Sequence, residues 1–169
     1  GSLCPTTMTY GAVPVLKQVP EIARDWMPLL LSREYDKRFI PATQKKGVLI
    51  GMGLTEKQGG SDVRANTTRA EPLGDGTWRI VGHKWFLSAP MCDAFLVTAQ
   101  SPKGLSCFFA PRWTPDGRLN DIRIQRLKDK MGDRSNAGTE AELWGSTGWL
   151  VGEEGRGIPP VLEMGVYTR

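Results

Sequence analysis

The apolar positions of this chain change rhythm. From Leu3 to Val19 small, apolar and polar residues alternate around Pro5 and Pro14. Further on, Ile22, Trp26, Leu29 and Leu30 fall at the three-to-four spacing of a helical stripe. The pattern predicts helices over 3–19 and 25–38. Asp25 stands where a capping carboxylate would, Pro28 in the first turn after it, and the run stops before Pro41. After Gly47 the period shortens to two. Short apolar or alternating runs over 48–54, 64–71, 77–81, 84–88, 94–99, 105–110, 122–125 and 139–144 read as strands. Gly74-Asp75-Gly76 signals a hairpin, and Pro90, Pro102 and Pro111 punctuate the later runs. Trp78 and Ile80 share one face, and Ala141 and Leu143 point inward. Residues 148–157 are glycine-rich and acidic, and helical spacing returns from Ile158 to Arg169. Strands separated by turns in this way predict an antiparallel barrel or sandwich. The fold class is therefore mainly β with flanking helices, α+β. Helices with no bundle partner cannot bury their apolar faces alone. The chain is thus expected to be a piece of a longer protein: one whole β domain with the end of one helical domain and the start of another.

Composition narrows the class. A chain that is 40% hydrophobic and 24% charged can bury a core, which argues against wholesale disorder. A net charge of +4 reads as a solvated surface rather than a nucleic-acid footprint. Cys4, Cys92 and Cys107 are odd in number and far apart, and His83 is the single histidine, so neither a zinc cluster nor a disulfide framework is expected. That points to a reducing, cytoplasmic setting. No apolar run is long enough to span a bilayer, so no membrane partner is expected. The start of the chain lacks the basic and apolar regions of a signal peptide.

Two stretches carry the candidate chemistry. Met52-Gly53-Leu54-Thr55-Glu56-Lys57-Gln58-Gly59-Gly60-Ser61-Asp62 ends in paired glycines followed by a hydroxyl and a carboxylate. Glycines let the backbone turn sharply and approach a ligand, and successive N–H groups in such a turn form a concave anion site. Gly82-His83-Lys84-Trp85-Phe86-Leu87-Ser88 puts an aromatic pair and a hydroxyl at the end of an apolar run. Together they offer a phosphate cradle, a ring for an aromatic ligand and hydroxyls for its polar edge, the equipment of a dinucleotide or flavin site. No Gly-x-Gly-x-x-Gly opens a helix, so this is not the Rossmann pattern.

Each feature also has an ordinary reading. Gly59-Gly60-Ser61-Asp62 alone is more often a plain turn. Strict alternation sends Trp85 to the opposite face from Phe86, into core or interface packing. His83 beside Ser61 and Asp62 suggests a hydrolase triad, but Gly59-Gly60-Ser61-Asp62-Val63 lacks the second glycine of Gly-x-Ser-x-Gly. Cations from Arg112 to Arg134 are interleaved with Asp116, Asp121, Asp129 and Asp133, as on a solvated strand face.

Four segments in order resemble the acyl-CoA dehydrogenase superfamily. Thr55 to Asp62 is similar to its Thr-Glu-Pro-x-Ala-Gly-Ser-Asp loop, and Lys84-Trp85-Phe86-Leu87-Ser88 to its Lys-x-Trp-Ile-Thr strand. Lys130-Met131-Gly132-Asp133-Arg134-Ser135 resembles its Lys-x-Gly-x-Arg segment, and Gly152-Glu153-Glu154-Gly155-Arg156-Gly157 its entry to the C-terminal bundle. Lys57, Phe86 and Ser88 replace the usual proline, tryptophan and threonine. The wording of the first two segments resembles the AidB branch, the adaptive-response flavoproteins of bacteria.

The resemblance implies the family's middle β domain over 48–156, the end of an N-terminal helical domain over 1–47 and the start of a C-terminal one over 157–169. It implies FAD as cofactor, acyl-CoA as substrate class and a homo-oligomer, a homotetramer in the family. Residue by residue, Met52, Leu54 and Thr55 would meet the flavin's pyrimidine side, and Gly60 and Ser61 its pyrophosphate. Phe86 would lie against the isoalloxazine ring, with Leu87 and Ser88 near N5. The family's catalytic base is a glutamate far into the C-terminal helical domain, a region expected to lie outside this chain, so no catalytic residue is assigned. The AidB branch also implies a rival function: binding DNA and protecting it from alkylation, with weak or secondary dehydrogenase activity. Its DNA-contacting surface is expected outside this chain.

Overall fold

A computed structural model describes residues 3–168. Gly1, Ser2 and Arg169, the end of the expected last helix, lie outside the described residues. The chain opens with α1 (Leu3–Leu16) and α2 (Pro20–Leu30). Seven strands follow: β1 (Ile50–Gly53), β2 (Arg69–Pro72), β3 (Trp78–Ser88), β4 (Ala94–Ser101), β5 (Gly104–Pro111), β6 (Ile122–Leu127) and β7 (Gly138–Val151). The described part closes with α3 (Ile158–Tyr167).

The strands form one mixed sheet in the order β1-β3-β2-β4-β5-β7-β6, with β1 also paired to β4 and β3 to β7. Most pairs are antiparallel, as the alternation predicts. β1 and β4 are parallel, running from Ile50 beside Ala94 to Gly53 beside Val97. β2 and β3 form the hairpin expected at Gly74-Asp75-Gly76, where both glycines take positive φ. β4 and β5 are buried along almost their whole length: both have strands on either side in the sheet, and their apolar residues belong to the core shared with the helices.

Several boundaries differ from the periodicity. The second helix begins at Pro20, its first-turn residue, and ends at Leu30. Asp25 is inside it, bonded to Arg24, rather than capping it. Beyond Leu31 polar side chains bind the backbone. Ser32 accepts the Glu34 N–H, and Asp36 accepts those of Arg38 and Lys46. Such bonds compete with helical ones, so 31–38 stays irregular despite its spacing. The strand expected over 64–71 is shortened to Arg69–Pro72 behind a single 3-10 turn, Val63–Ala65. The strand expected over 139–144 runs on to Val151. Gly148 lies within it opposite Trp78, where a Cβ would stand 2.6 Å from Ile80 Cδ1.

The helices do find partners within the chain. Gly11 of α1 packs on α3 so closely that a Cβ would stand 2.7 Å from the Met164 carbonyl oxygen. Trp26 of α2 meets Phe109 of β5 edge to face, with centroids 4.8 Å apart. The Thr9 hydroxyl donates to the Pro5 carbonyl and accepts the Ile50 N–H at 2.9 Å, pinning the start of β1 to α1. On the other side of that start, Asp93 accepts the Leu49 N–H and the Lys45 ammonium. Helices and sheet thus share one apolar core.

Because Phe109 joins α2 to the most buried hairpin, Phe109→Ala should lower unfolding stability by about 3–5 kcal/mol. Urea denaturation followed by circular dichroism checks this. A loss below about 1 kcal/mol would mean that α2 contributes little to the common core.

Candidate functional site

The ends of β1 and β3 lie side by side, with Met52 opposite Ser88 and Gly53 opposite Leu87. Past Gly53 the chain leaves the sheet, and the Thr55 carbonyl accepts the N–H groups of Trp85 at 2.8 Å and Phe86 at 3.4 Å. At this point β3 departs from β7. The register passes from Lys84 beside Ala141 to Leu87 beside Thr139, so β3 holds one extra residue. A bulge of this kind bends the strand and re-aims its side chains. Lys84 and Leu87 are both fully buried, although strict alternation would put them on opposite faces. Trp85 is half-buried, and Phe86 is 38% exposed.

The bulge corrects the expected separation of the two rings. Trp85 is not core. The Lys128 ammonium lies 2.9 Å from its ring centroid and 5.0 Å from that of Phe86, so both rings border one side chain. His83 shares the face of Trp85, with ring centroids 6.1 Å apart, and its Nδ1 lies 2.6 Å from Glu142 Oε1. Asp62 instead accepts the Arg64 N–H, so the structure assembles no triad from His83, Ser61 and Asp62.

The loop is held to β3 by a buried ion pair. Lys84 Nζ donates to Glu56 Oε1 at 2.8 Å, with the two side chains 0% and 2% exposed. The Glu56 carboxylate also accepts the Thr67 N–H at 2.6 Å, the Thr68 N–H and the Thr67 hydroxyl. Burial alone would raise the Glu56 carboxyl, but the charge and hydrogen bond of Lys84, with the Thr68 and Thr67 bonds, outweigh it and hold the carboxyl low. Burial pushes the Lys84 ammonium down against the pull of Glu56. The neighbouring Cys107 thiol is pushed by burial up to about 12, so it is inert at neutral pH.

The glycine turn sits on this base. Gly59 N–H donates to the Glu56 carbonyl at 3.0 Å. Gly59 has φ +122°, and a Cβ there would meet open space. Gly60 packs on Thr55, where a Cβ would stand 2.7 Å from Oγ1. Buried Asn66 donates to the Leu54 carbonyl and accepts from Gln58, fixing both arms of the loop.

All eight residues singled out in the sequence therefore fall in one neighbourhood. Met52, Leu54 and Thr55 line the exit of β1, and Gly60 and Ser61 lie on the turn above Thr55. Phe86, Leu87 and Ser88 form the facing end of β3. The Leu87 side chain is fully buried, which leaves only its main chain for a ligand. The hydroxyls of Thr55, Ser61 and Ser88 have no hydrogen-bond partner among the described residues. An apolar cavity of about 570 Å³ opens at the other end of β1, walled by Tyr10, Val13, Leu31, Tyr35, Leu49 and Met91.

Sequence reasoning missed Glu56, Lys84, Asn66 and Lys128. One signal was available. Lys84 has the same parity in β3 as the inward Trp78 and Ile80, and a cation at an inward position needs a buried anion. Nothing local marks Lys128, whose ring partners lie on another strand.

Comparison with known proteins assigns this geometry to a family. Residues 51–144 match the acyl-CoA dehydrogenase middle domain, and residues 1–37 match the adaptive response protein AidB N-terminal domain. AidB of Escherichia coli (strain K12) is 59% identical over 170 residues, covering 100% of this chain and 31% of its own length. The structure of Caenorhabditis elegans ACDH-11 in complex with C11-CoA superposes with a TM-score of 0.83 at 31% identity. It covers 98% of this chain and 29% of that one. An acyl-CoA dehydrogenase from Bacillus anthracis complexed with FAD shares the fold, with a TM-score of 0.69 at 23% identity over 90% of this chain and 24% of that one. This chain thus spans about a third of the length of the relatives it matches.

Removing one member of the Glu56–Lys84 pair leaves the other charge buried and alone, so Glu56→Gln or Lys84→Met should each cost about 3–5 kcal/mol. Replacing both by apolar residues should cost less than either alone. Urea denaturation of the three variants checks the order. The Glu56 carboxyl is held below its ordinary range, so its contribution is fully present above an unfolded pKa of about 4.3 and is lost as pH falls through the lower folded value. Wild type should therefore lose more stability than Glu56→Gln between about pH 5 and pH 3.

Proposed function

The chain belongs to the acyl-CoA dehydrogenase family through its middle domain, and on that premise we propose that it holds the FAD of a flavoprotein that oxidises an acyl-CoA thioester. One observation carries the reading. Where β1 meets β3, the exposed ring of Phe86 shares one end of the sheet with Ser88 and with the loop that carries Thr55 and Ser61, whose hydroxyls have no hydrogen-bond partner among the described residues. These residues fit a planar aromatic ligand with a polar edge and a phosphate tail. In this reading residues 1–47 end an N-terminal helical domain, 48–156 form the FAD-binding domain and 157–169 open a C-terminal helical domain. The whole protein is a cytoplasmic homo-oligomer.

Each residue has a defined task. Phe86 gives the flavin a flat apolar face, and as phenylalanine it offers stacking without an indole donor. The main chain at Met52, Leu54 and Thr55, with the Thr55 hydroxyl, addresses the pyrimidine edge. Gly60 and Ser61 hold the pyrophosphate, and Leu87 and Ser88 reach the N5 side, Leu87 by its main chain. Bound FAD would supply two-electron oxidation of the acyl chain; the protein supplies binding, orientation and electrostatics. The buried Glu56–Lys84 pair keeps the loop in place before a ligand arrives, which lowers the ordering cost of binding. An acyl chain would find apolar surroundings in the cavity at the start of β1, with Leu49 about 10 Å along the strand from Met52. The ACDH-11 complex with C11-CoA supports that substrate class for a relative.

A second reading, a DNA-protecting adaptive-response protein, draws support from the likeness to AidB. DNA contact through this chain is not part of it. The arginines of the β6 side face carboxylates, Arg118 on Asp116, Arg123 on Asp121 and Arg126 on Glu140, whereas phosphate contacts need clustered free cations.

Titration of FAD into the protein should give saturable quenching of flavin fluorescence. Combining Phe86→Ala with Ser61→Ala should weaken it by at least about tenfold, the size of effect expected from losing a stacking face and a phosphate contact. Unchanged binding in the double variant would sink the site assignment. Absence of binding by the folded wild-type protein would sink the flavin reading itself.

A further inference from the structure

Lys128 follows β6 directly, its N–H bonded to the Gly138 carbonyl at 2.8 Å. Lysine usually leaves its ammonium in water. Here the side chain is 8% exposed. The ammonium lies over the Trp85 ring at 2.9 Å and 5.0 Å from the Phe86 centroid, and it donates to Glu140 Oε1 at 2.8 Å. The same carboxylate oxygen accepts Arg126 Nε at 2.8 Å. Two cations share one carboxylate, so the cluster keeps one net positive charge. The Glu140 carboxyl is held low by its bonds to Lys128 and Arg126, which keeps it ionised at neutral pH. A methionine would fill a similar volume against Trp85, so what the lysine adds here is its charge, shared between the ring faces and Glu140.

We propose that Lys128 is a positioning residue of the ring platform. It clamps the Trp85–Phe86 bulge through the aromatic faces and fixes a positive charge beside Phe86 that favours an electron-rich flavin. The proposal rests on the flavin reading above. Its physical basis is twofold. A cation desolvated against aromatic faces holds them in place. A fixed charge whose side chain is withdrawn from solvent also acts on nearby developing charge more strongly than one in water. Glu140 sets how much of that charge is felt, because its carboxylate accepts the Lys128 ammonium.

The test is the midpoint potential of FAD in the protein, measured by equilibration with a redox dye, together with FAD affinity from fluorescence quenching. Lys128→Met keeps the apolar stem and removes the charge. It should lower the preference for reduced over oxidised FAD about tenfold, a downward shift of about 30 mV for a two-electron couple. Lys128→Arg keeps the cation and should restore the wild-type potential. Glu140→Gln frees the cluster's charge and should shift the potential upward, an opposite sign that a merely structural role would not produce. Wild-type potentials in both Lys128→Met and Glu140→Gln would overturn the proposal and leave the flavin reading intact. If Lys128→Met does not fold, the Glu140→Gln shift decides: upward supports the proposal, none or downward overturns it. A wild-type protein that takes up no FAD overturns both readings.

Discussion

The site depends on one ion pair closed off from water. Glu56 sits at the root of a loop, and Lys84 lies near the end of the longest run of β3 before the bulge. Neither charge is tolerable in the core without the other, so the loop has one resting position. The backbone of residues 67 and 68 completes the carboxylate's hydrogen bonds, which ties the entry to β2 into the same knot. From that knot the Thr55 carbonyl reaches the two amides that β3 withdraws from β7. The loop and the bulge are thus two sides of one arrangement, each satisfying groups the other leaves open.

Much of this was legible in residue order. The shift from a period near 3.6 to a period of two placed both helical ends and nearly every strand, because a sheet with one buried face must alternate. The paired glycines and the aromatic–hydroxyl stretch were recognisable as a pair, and the fold brings all eight of their marked residues together. The unread parts share a cause: they depend on partners distant in sequence. The bulge at Trp85–Phe86 exists because Thr55 offers a carbonyl, which no local pattern of β3 reveals. The early end of α2 reflects Ser32 and Asp36 competing for backbone amides. The length of β7 was hidden because its alternation is broken at Gly145, which takes a positive φ, and the strand resumes beyond it.

Family membership and local physics support each other at different scales. The middle-domain match covers most of the sheet, and the likeness to AidB extends over the rest of it and the helices. The helices are not loose attachments here. Gly11 against Met164, Trp26 against Phe109 and the Thr9 hydroxyl on Ile50 join them to the sheet that carries the site. The start of β1 is thereby held on both sides, by Thr9 and by Asp93, while its end is held by the Glu56 loop. A short strand fixed at both ends is a stiff ruler between the apolar cavity and the ring platform.

The bulge in β3 has an evolutionary consequence. Ordinary alternation would force any change at a ligand-facing position to be negotiated with the core residue beside it. Here the extra residue separates the two. Lys84 and Leu87 are buried on either side of the bulge, while the Phe86 ring is exposed, with Gly138 and Lys128 among its neighbours. A change of that ring is thus met first by Lys128 and Gly138 rather than by the core. A lineage can retune what this surface recognises at the ring and its cation, while Lys84 and Leu87 stay as they are in the core.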